Sequence, residues 1–339
     1  MMFTNLMTRL VFSFIVIAGF STVTVASTLK YFSNRDDVRL FVTEMVQQHQ
    51  FDEASLLHLF ATTPVMPKVI TLIKPPADPQ TVSWVAYRQR FVEPKRIAAG
   101  RRFMTDHADA LARAEATYGV PREIIAAIIG VETIYGRNTG RVNTLAALAT
   151  LAFDYPPRAE LFRRELSEFL LLAREAKRDP RNYKSSYAGA LGLPQFLPSS
   201  IRAYAVDFND DGEIDIATSP TDAIGSVARF LNHHGWRSGE PIAIIVNASG
   251  DGLAEVLGNG VLPSFLPATY EKLKVSVAPV GADDTVLVEN PSALIDFTSP
   301  NAPTEYRLGY QNFYVITRYN RSRFYAAAVM DLAAELLIK

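Results

Sequence analysis

An apolar helix that ends on a glutamate places the strongest constraint on this chain. Residues 119–140 read GVPREIIAAIIGVETIYGRNTG, and the proline suits a first helical turn. Glu132 lies seven residues after Ile125, four after Ile128 and three after Ile129. A helix places residues at these spacings on one face. The pattern therefore predicts that Glu132 extends a buried stripe of isoleucines at the C-terminal end of the helix.

A carboxyl group in such a place has a distinct chemistry. Contact with isoleucine removes its hydration, which penalises the charged form and raises the pKa. A proton held near neutral pH is what a general acid requires. The alternative is a glutamate that simply pairs with Arg137 or Arg141 beyond the helix. Tyr135 follows closely and is a candidate substrate-binding residue, because aromatic faces suit sugar rings; the alternative is a core tyrosine.

A second motif, SSYAGALGLPQFLPSS at residues 185–200, is apolar and rich in small residues for a loop. Its glycines allow the backbone to approach a ligand closely. Gln195 adds an amide donor and acceptor in this apolar setting. We therefore interpret Gln195 as a candidate ligand contact, and the alternative is a structural turn with an exposed glutamine.

A third motif, DFNDDGEID, has the spacing of a calcium-binding loop. Oxygen ligands at this spacing favour calcium over zinc. Thr218 occupies the position where such loops carry a final glutamate, so Asp222 becomes the nearest closing carboxylate. The alternative is a plain acidic turn. The candidate ligands are Asp207, Asn209, Asp211, the backbone carbonyl of Glu213, and Asp222.

Composition excludes several functional classes. The formal net charge of the 339 residues is -1, which does not suggest nucleic-acid binding. The absence of cysteine excludes disulfides, thiol nucleophiles and thiolate metal sites. Residues 1–26 have the order of a secretory signal, with a cut expected after Ala26 or Ser27. We expect a periplasmic protein that is not a lipoprotein; the alternative reading of this segment is a transmembrane anchor.

The remaining pattern predicts an α+β chain that is mainly helical. Residues 31–118 are expected to form helices interrupted by a loop at residues 74–80, and residues 119–240 short helices between loops. Four β-rich segments then indicate a small β domain within residues 241–318: PIAIIVNA, KVSVAPV, DTVLVEN and EYRLGYQNFYVITRY. Residues 319–339 are expected to end the chain with a helix, from about Ser322 to Ile338, that packs back on the helical regions.

Taken together, these segments resemble the lytic murein transglycosylase B family, over most of the chain from about residue 81. The segments that carry the resemblance are GVPREIIAAIIGVETIYGRNTG, LAALATLAFDYPPRAELF, YAGALGLPQFLPSS, VDFNDDGEIDI, DAIGSVARFLNHHGW and RYNRSRFYAAAV. The resemblance implies a lysozyme-like catalytic core with a helical domain and a small β domain. It also implies an enzyme that cleaves peptidoglycan without water and leaves 1,6-anhydromuramyl ends.

The resemblance also assigns roles to residues. The catalytic glutamate corresponds to Glu132, and the family's structural calcium to the acidic loop; no organic cofactor is expected. The implied saccharide contacts are Ser186, Gln195, Tyr319 and Asn320, with Arg158 near the peptide stem. The family often has two arginines after Tyr-Pro, whereas here Tyr155-Pro156 is followed by Pro157 and then Arg158. The implied partners are glycan strands and cell-wall synthesis proteins. The alternative functions are a hydrolytic muramidase and a non-catalytic peptidoglycan-binding protein.

Overall fold

The computed structural model describes residues 30–74, 83–280 and 289–338. The expected signal segment, most of the loop at residues 74–80 and most of DTVLVEN lie outside these ranges. Within them, no helix is long and apolar enough to cross a membrane. The helices are α1 (Asp36–His49), α2 (Glu53–Thr62), α3 (Pro67–Ile73), α4 (Trp84–Phe91), α5 (Pro94–Asp106), α6 (Ala108–Tyr118), α7 (Arg122–Thr133), α8 (Thr144–Asp154), α9 (Ala159–Glu175), α10 (Pro198–Tyr204), α11 (Pro220–His233), α12 (Leu253–Gly258), α13 (Pro267–Lys272), α14 (Gln311–Tyr319) and α15 (Arg323–Leu337).

Helix α7 lies at the centre of the larger hydrophobic core. Every residue from Ile124 to Val131 is buried, since α5, α6, α11 and α15 pack around it. This core is continuous from Phe32 in the N-terminal segment to Leu336 in α15. The helices before and after residue 119 therefore share one core, and the expected boundary between residues 118 and 119 stays a prediction.

A four-stranded antiparallel sheet forms the β-rich part. Its strands are β3 (Ala243–Gly250), β4 (Val275–Pro279), β5 (Ala293–Ser299) and β6 (Ala302–Gly309), in the order β4-β3-β6-β5. A separate small core lies on the sheet; among its buried members are Val246, Val256, Tyr270, Val275, Leu294 and Leu308. Two further short strands, β1 (Val142–Asn143) and β2 (Lys184–Ser185), pair with each other beside α8.

The last expected strand is wrong over much of its length. EYRLGYQNFYVITRY stays extended only to Gly309 and then forms α14. Its aromatic and β-branched residues are typical of strands, but Phe313, Val315 and Ile316 are buried as one face of a helix. Tertiary packing thus outweighs local propensity. The sequence interpretation also missed β5, which pairs with β6.

A buried arginine joins the sheet to the helices. Arg307 on β6 is 1% exposed and forms ion pairs with Asp331 on α15 at 2.7 Å and with Glu305 at 2.6 Å. Its guanidinium also lies 5.2 Å from the ring centroids of both Trp84 and Phe297. Asp331 pairs in addition with Arg88 on α4, at 2.6 Å. One carboxylate therefore ties α4, α15 and the sheet together.

We expect Asp331→Asn to destabilise the fold by about 3 kcal/mol, because it leaves the Arg307 charge buried without its main partner. Urea unfolding followed by circular dichroism measures the effect. Glu115→Gln is the matched control, since Glu115 forms an exposed pair with Arg122 that should contribute less than about 1 kcal/mol. Equal losses in the two variants would contradict this assignment.

Candidate active site

Glu132 lies one residue before the C-terminal end of α7, as the sequence predicts, and is only partly exposed. Its Oε1 atom accepts a hydrogen bond of 2.7 Å from the hydroxyl of Tyr325 on α15. Burial raises the pKa of Glu132 to about 7, while the hydrogen bond from Tyr325 opposes that rise. In the described part of the chain, Glu132 forms no ion pair with Arg137 or Arg141. The simple surface pairing considered from sequence is therefore wrong.

Three tyrosines from three helices surround the glutamate. Tyr325 belongs to α15, Tyr319 ends α14 and Tyr87 belongs to α4. The rings of Tyr319 and Tyr325 are stacked, with centroids 6.2 Å apart. Burial and the nearby Glu132 charge raise the pKa of all three phenols, that of Tyr87 to about 12. These hydroxyls therefore stay protonated at neutral pH, and of the three it is Tyr325 that donates to the carboxyl group.

The backbone turns sharply directly after the glutamate. Ile134 and Tyr135 are successive left-handed residues, with φ of 54° and 57°. Non-glycine residues rarely adopt this region, and a β-branched isoleucine does so at a cost. The turn directs the Tyr135 ring against Phe103, at 5.2 Å between centroids, and a Cβ at Gly130 would overlap its hydroxyl. Tyr135 thus has a packing role, and its sugar contact stays a prediction.

The Gln195 loop lies beside the same helix end. Tyr319 donates a hydrogen bond of 2.6 Å to the carbonyl of Pro194. The side-chain nitrogen of Gln195 donates to the carbonyls of Thr139 and Gly192, at 3.1 and 2.9 Å. Its Oε1 atom keeps its acceptor capacity for another molecule. The partly buried Gln195 is therefore not the exposed structural glutamine of the alternative reading.

The other implied saccharide contacts differ in their surroundings. The Ser186 hydroxyl accepts bonds from the amides of Ala188 and Ala190, at 3.3 and 3.1 Å, and so shapes its own turn. Asn320 is exposed at the end of α14, one residue after Tyr319. Arg158 is exposed, with its guanidinium 5.4 Å from the Phe162 ring centroid. The roles of these three residues stay predictions.

Three other carboxylates, Asp154, Glu160 and Glu165, were candidates for a second catalytic acid from sequence, but they are engaged elsewhere or exposed. Asp154 pairs with Arg35 at 2.7 Å. Glu165 is 2% exposed and accepts bonds from the amide and hydroxyl of Ser199, at the first turn of α10. Glu160 is exposed at the start of α9. Over the described ranges, Glu132 thus has a tyrosine as its hydrogen-bonding partner and no second carboxylate.

The acidic loop is closed by its own backbone amides. Asp207 accepts from the amides of Asp211 and Gly212, at 3.1 and 2.7 Å. Asp222 is fully buried in the first turn of α11 and accepts from Phe208 and Asp215, at 2.8 and 2.9 Å. Among the residues that the structure covers, no three His, Asp or Glu side chains converge as a metal site. The donors of the loop are hard oxygens of the kind that calcium prefers.

Sequence reasoning missed two residues of this site. Tyr325 lies 193 residues from Glu132, so no spacing rule connects them. Its segment, RYNRSRFYAAAV, was nevertheless among those that carry the family resemblance. Tyr87 lies in WVAYRQRF, which offered no signal beyond helical periodicity. Both positions depend on how α15 docks on α7 and α4 docks on α15.

Comparisons with known proteins identify the family. The family described as transglycosylase SLT domain matches residues 33–334. Membrane-bound lytic murein transglycosylase B of Escherichia coli is 39% identical over 310 residues, covering 89% of this chain and 82% of that protein.

Solved structures agree with this assignment. Soluble lytic transglycosylase SltB1 from Pseudomonas aeruginosa has a TM-score of 0.80 at 45% identity, covering 88% of this chain and 97% of that one. The Escherichia coli lytic transglycosylase Slt35 in complex with calcium has a TM-score of 0.77 at 36% identity, covering 92% and 97%. The expected fold, mainly helical with a lysozyme-like core and a small sheet, is confirmed. The chain therefore belongs to the lytic murein transglycosylases of the SLT-domain family, which act on peptidoglycan.

Proposed function

We propose that this protein cleaves the β-1,4 bond between N-acetylmuramic acid and N-acetylglucosamine, with Glu132 as its acid and then its base. The observation that carries this proposal is a single carboxyl group, surrounded by three tyrosines, whose pKa burial raises to about 7. A carboxyl group in that range holds a proton at neutral pH and releases it readily. The residues 1–26 support export to the periplasm, where the polymer lies.

The first step uses the oxygen that Tyr325 leaves free. Tyr325 donates to Oε1, so Oε2 can carry the proton. Glu132 gives this proton to the glycosidic oxygen as the bond to C1 breaks and positive charge develops on the muramyl ring. The fixed tyrosine hydroxyl stabilises the carboxylate that results.

The second step returns the proton to the enzyme. The Glu132 carboxylate removes the proton of the C6 hydroxyl, whose oxygen closes on C1 to give the 1,6-anhydro ring. The substrate's N-acetyl oxygen stabilises C1 in the interval. One carboxyl group suffices for both steps, which agrees with the engagement of Asp154 and Glu165 elsewhere. A hydrolase that inverts or retains would ordinarily need a second carboxylate.

Saccharide binding is assigned to the surfaces around the glutamate. Gln195 offers its Oε1 atom to a donor of the sugar, such as an N-acetyl N–H group. Tyr319 and Asn320 lie on a segment that carries the family resemblance, Ser186 directly precedes another such segment, and Arg158 offers a cation to the stem peptide. The partners are glycan strands, with cell-wall synthesis proteins as further candidates.

We expect Glu132→Gln to lower the rate of anhydro-product release by at least ~10²-fold, because an amide can neither donate nor recover the proton. Purified murein is digested, and the soluble products are identified by mass spectrometry. Anhydro ends lack the water that hydrolysis adds, so the same spectra separate a transglycosylase from a muramidase.

Glu123→Gln is the matched control, since Glu123 lies in the first turn of the same helix. It should retain the wild-type rate. Persistence of the full rate in Glu132→Gln would remove Glu132 from the chemistry. Binding of glycan without any cleavage by the wild-type protein would favour the non-catalytic alternative.

The raised pKa also makes a prediction about pH. In the folded chain the pKa of Glu132 is about 7, against 4.5 for an ordinary glutamate, so the folded state keeps this proton to a higher pH. Stability from this proton is complete below pH 4.5 and is lost as the pH rises through 7, a change of about 3 kcal/mol. The free energy of unfolding of Glu132→Gln minus that of wild type should therefore be larger at pH 8 than at pH 4 by about that amount. Urea unfolding of both proteins at each pH measures it, and a pH-independent difference would contradict it.

We also propose that the acidic loop binds calcium as a structural ion. Asp207, Asn209 and Asp211 would supply side-chain oxygens, Glu213 its backbone carbonyl, and Asp222 the closing carboxylate. The calcium complex of the Slt35 relative supports this choice of ion. Asp207 and Asp211 accept amides of the loop, and their carboxylates keep further lone pairs with which to bind an ion.

Millimolar calcium should raise the melting temperature by at least ~2 °C. The shift should disappear in Asp207→Asn and persist in Asp251→Asn, whose aspartate is exposed in another turn. Scanning fluorimetry with calcium and with magnesium measures both variants. An unchanged shift in Asp207→Asn would place the ion elsewhere.

A further inference from the structure

The side chain that follows the glutamate joins the two halves of the site. Thr133 is fully buried, and its Oγ1 atom lies 3.0 Å from the carbonyl of Leu193 and 3.2 Å from that of Ile129. The amide of Gly136 donates to the same oxygen at 3.0 Å. A hydroxyl has one proton, so it donates to one of the two carbonyls, and Leu193 is the nearer.

The bond to Leu193 is not an ordinary feature of a helical threonine. Threonine within a helix commonly donates to the carbonyl four residues earlier, which here is that of Ile129. Leu193 lies 60 residues away along the chain, in the loop that carries Gln195. The hydroxyl thus bridges the end of the glutamate's helix and the loop of the candidate sugar-binding amide.

The rest of the Gln195 loop is held at points that do not involve α7. The amide of Leu193 donates to the carbonyl of Ile216 at 2.9 Å, and Tyr319 donates to that of Pro194. The remaining bonds of the Gln195 side chain reach Thr139 and Gly192. Among the described residues, the Thr133 side chain therefore supplies the hydrogen bond that connects α7 directly to this loop.

We propose that Thr133 is a positioning residue whose hydroxyl fixes the separation between the Glu132 carboxyl group and the Gln195 amide. The inference rests on the proposed function for the roles of those two groups. Substrate held by Gln195 meets the acid at the correct distance only while this bond is intact. A misplacement of about 1 Å between a bound substrate and its acid costs on the order of 10²-fold in rate.

The chain offers a matched control for a purely structural hydroxyl. Thr150 on α8 is also fully buried, donates to the carbonyl of Ala146 at 2.7 Å and accepts from the amide of Met66 at 2.9 Å. It has the same side chain and burial as Thr133, and its hydroxyl likewise donates to a backbone carbonyl and accepts from a backbone amide. None of its partners belongs to the candidate site, so Thr150→Val reports the loss of a buried hydroxyl alone.

The experiment compares Thr133→Val, Thr133→Ser and Thr150→Val for melting temperature and for kcat and KM on soluble glycan chains. Both valine variants should melt several degrees lower, but only Thr133→Val should lose roughly 10–100-fold in kcat/KM. Thr133→Ser keeps the hydroxyl and should stay within about threefold of wild type. If Thr133→Val does not accumulate as folded protein, Thr133→Ala takes its place.

Binding without turnover separates this inference from the proposed chemistry. Glycan affinity is measured by calorimetry for Glu132→Gln and for Glu132→Gln combined with Thr133→Val, and should fall at least about fivefold in the double variant. A wild-type enzyme that releases no anhydro ends would overturn the proposed function and leave this comparison valid. Either of two results would overturn the role of Thr133. In the first, the two Glu132→Gln proteins bind glycan with equal affinity and Thr133→Val keeps the wild-type kcat/KM. In the second, Thr150→Val loses as much kcat/KM as Thr133→Val.

Discussion

The contact between a carboxyl group and its hydrocarbon surroundings is the interaction on which the site depends. Burial at the end of α7 withholds water from Glu132, and the Tyr325 hydroxyl supplies one directed hydrogen bond in its place. Burial alone would give a carboxyl group that seldom ionises, whereas a full set of donors would give one that seldom holds a proton. The combination leaves both protonation states accessible near neutral pH. A residue that acts in turn as acid and base needs that balance.

The fold maintains this balance by bringing distant helices to the end of α7. Helix α15 supplies Tyr325 and α4 supplies Tyr87, and Asp331 binds arginines of α4 and of the sheet at once. The sheet therefore contributes to the catalytic region by holding the helices that line it. The small hydrophobic core on the sheet stabilises that support.

The sequence predicts local features of the site better than its long-range ones. The spacing from Ile125 to Glu132 was enough to place the carboxyl group, because both lie on one helix. Tyr325 could not be found in this way, since its contact arises from packing between elements far apart in the chain. The strand expected over residues 311–319 failed for a related reason. Its composition favours a strand, but its apolar residues meet the core only with helical periodicity.

The link between Glu132 and Tyr325 has a consequence for how the enzyme is made. A contact that spans 193 residues closes a very long loop, and such contacts form late because the chain entropy lost is large. Folding intermediates in which α7 is already helical would thus contain Glu132 without the hydrogen bond from Tyr325. Competence to cleave peptidoglycan by the proposed mechanism therefore arises together with the completed tertiary structure.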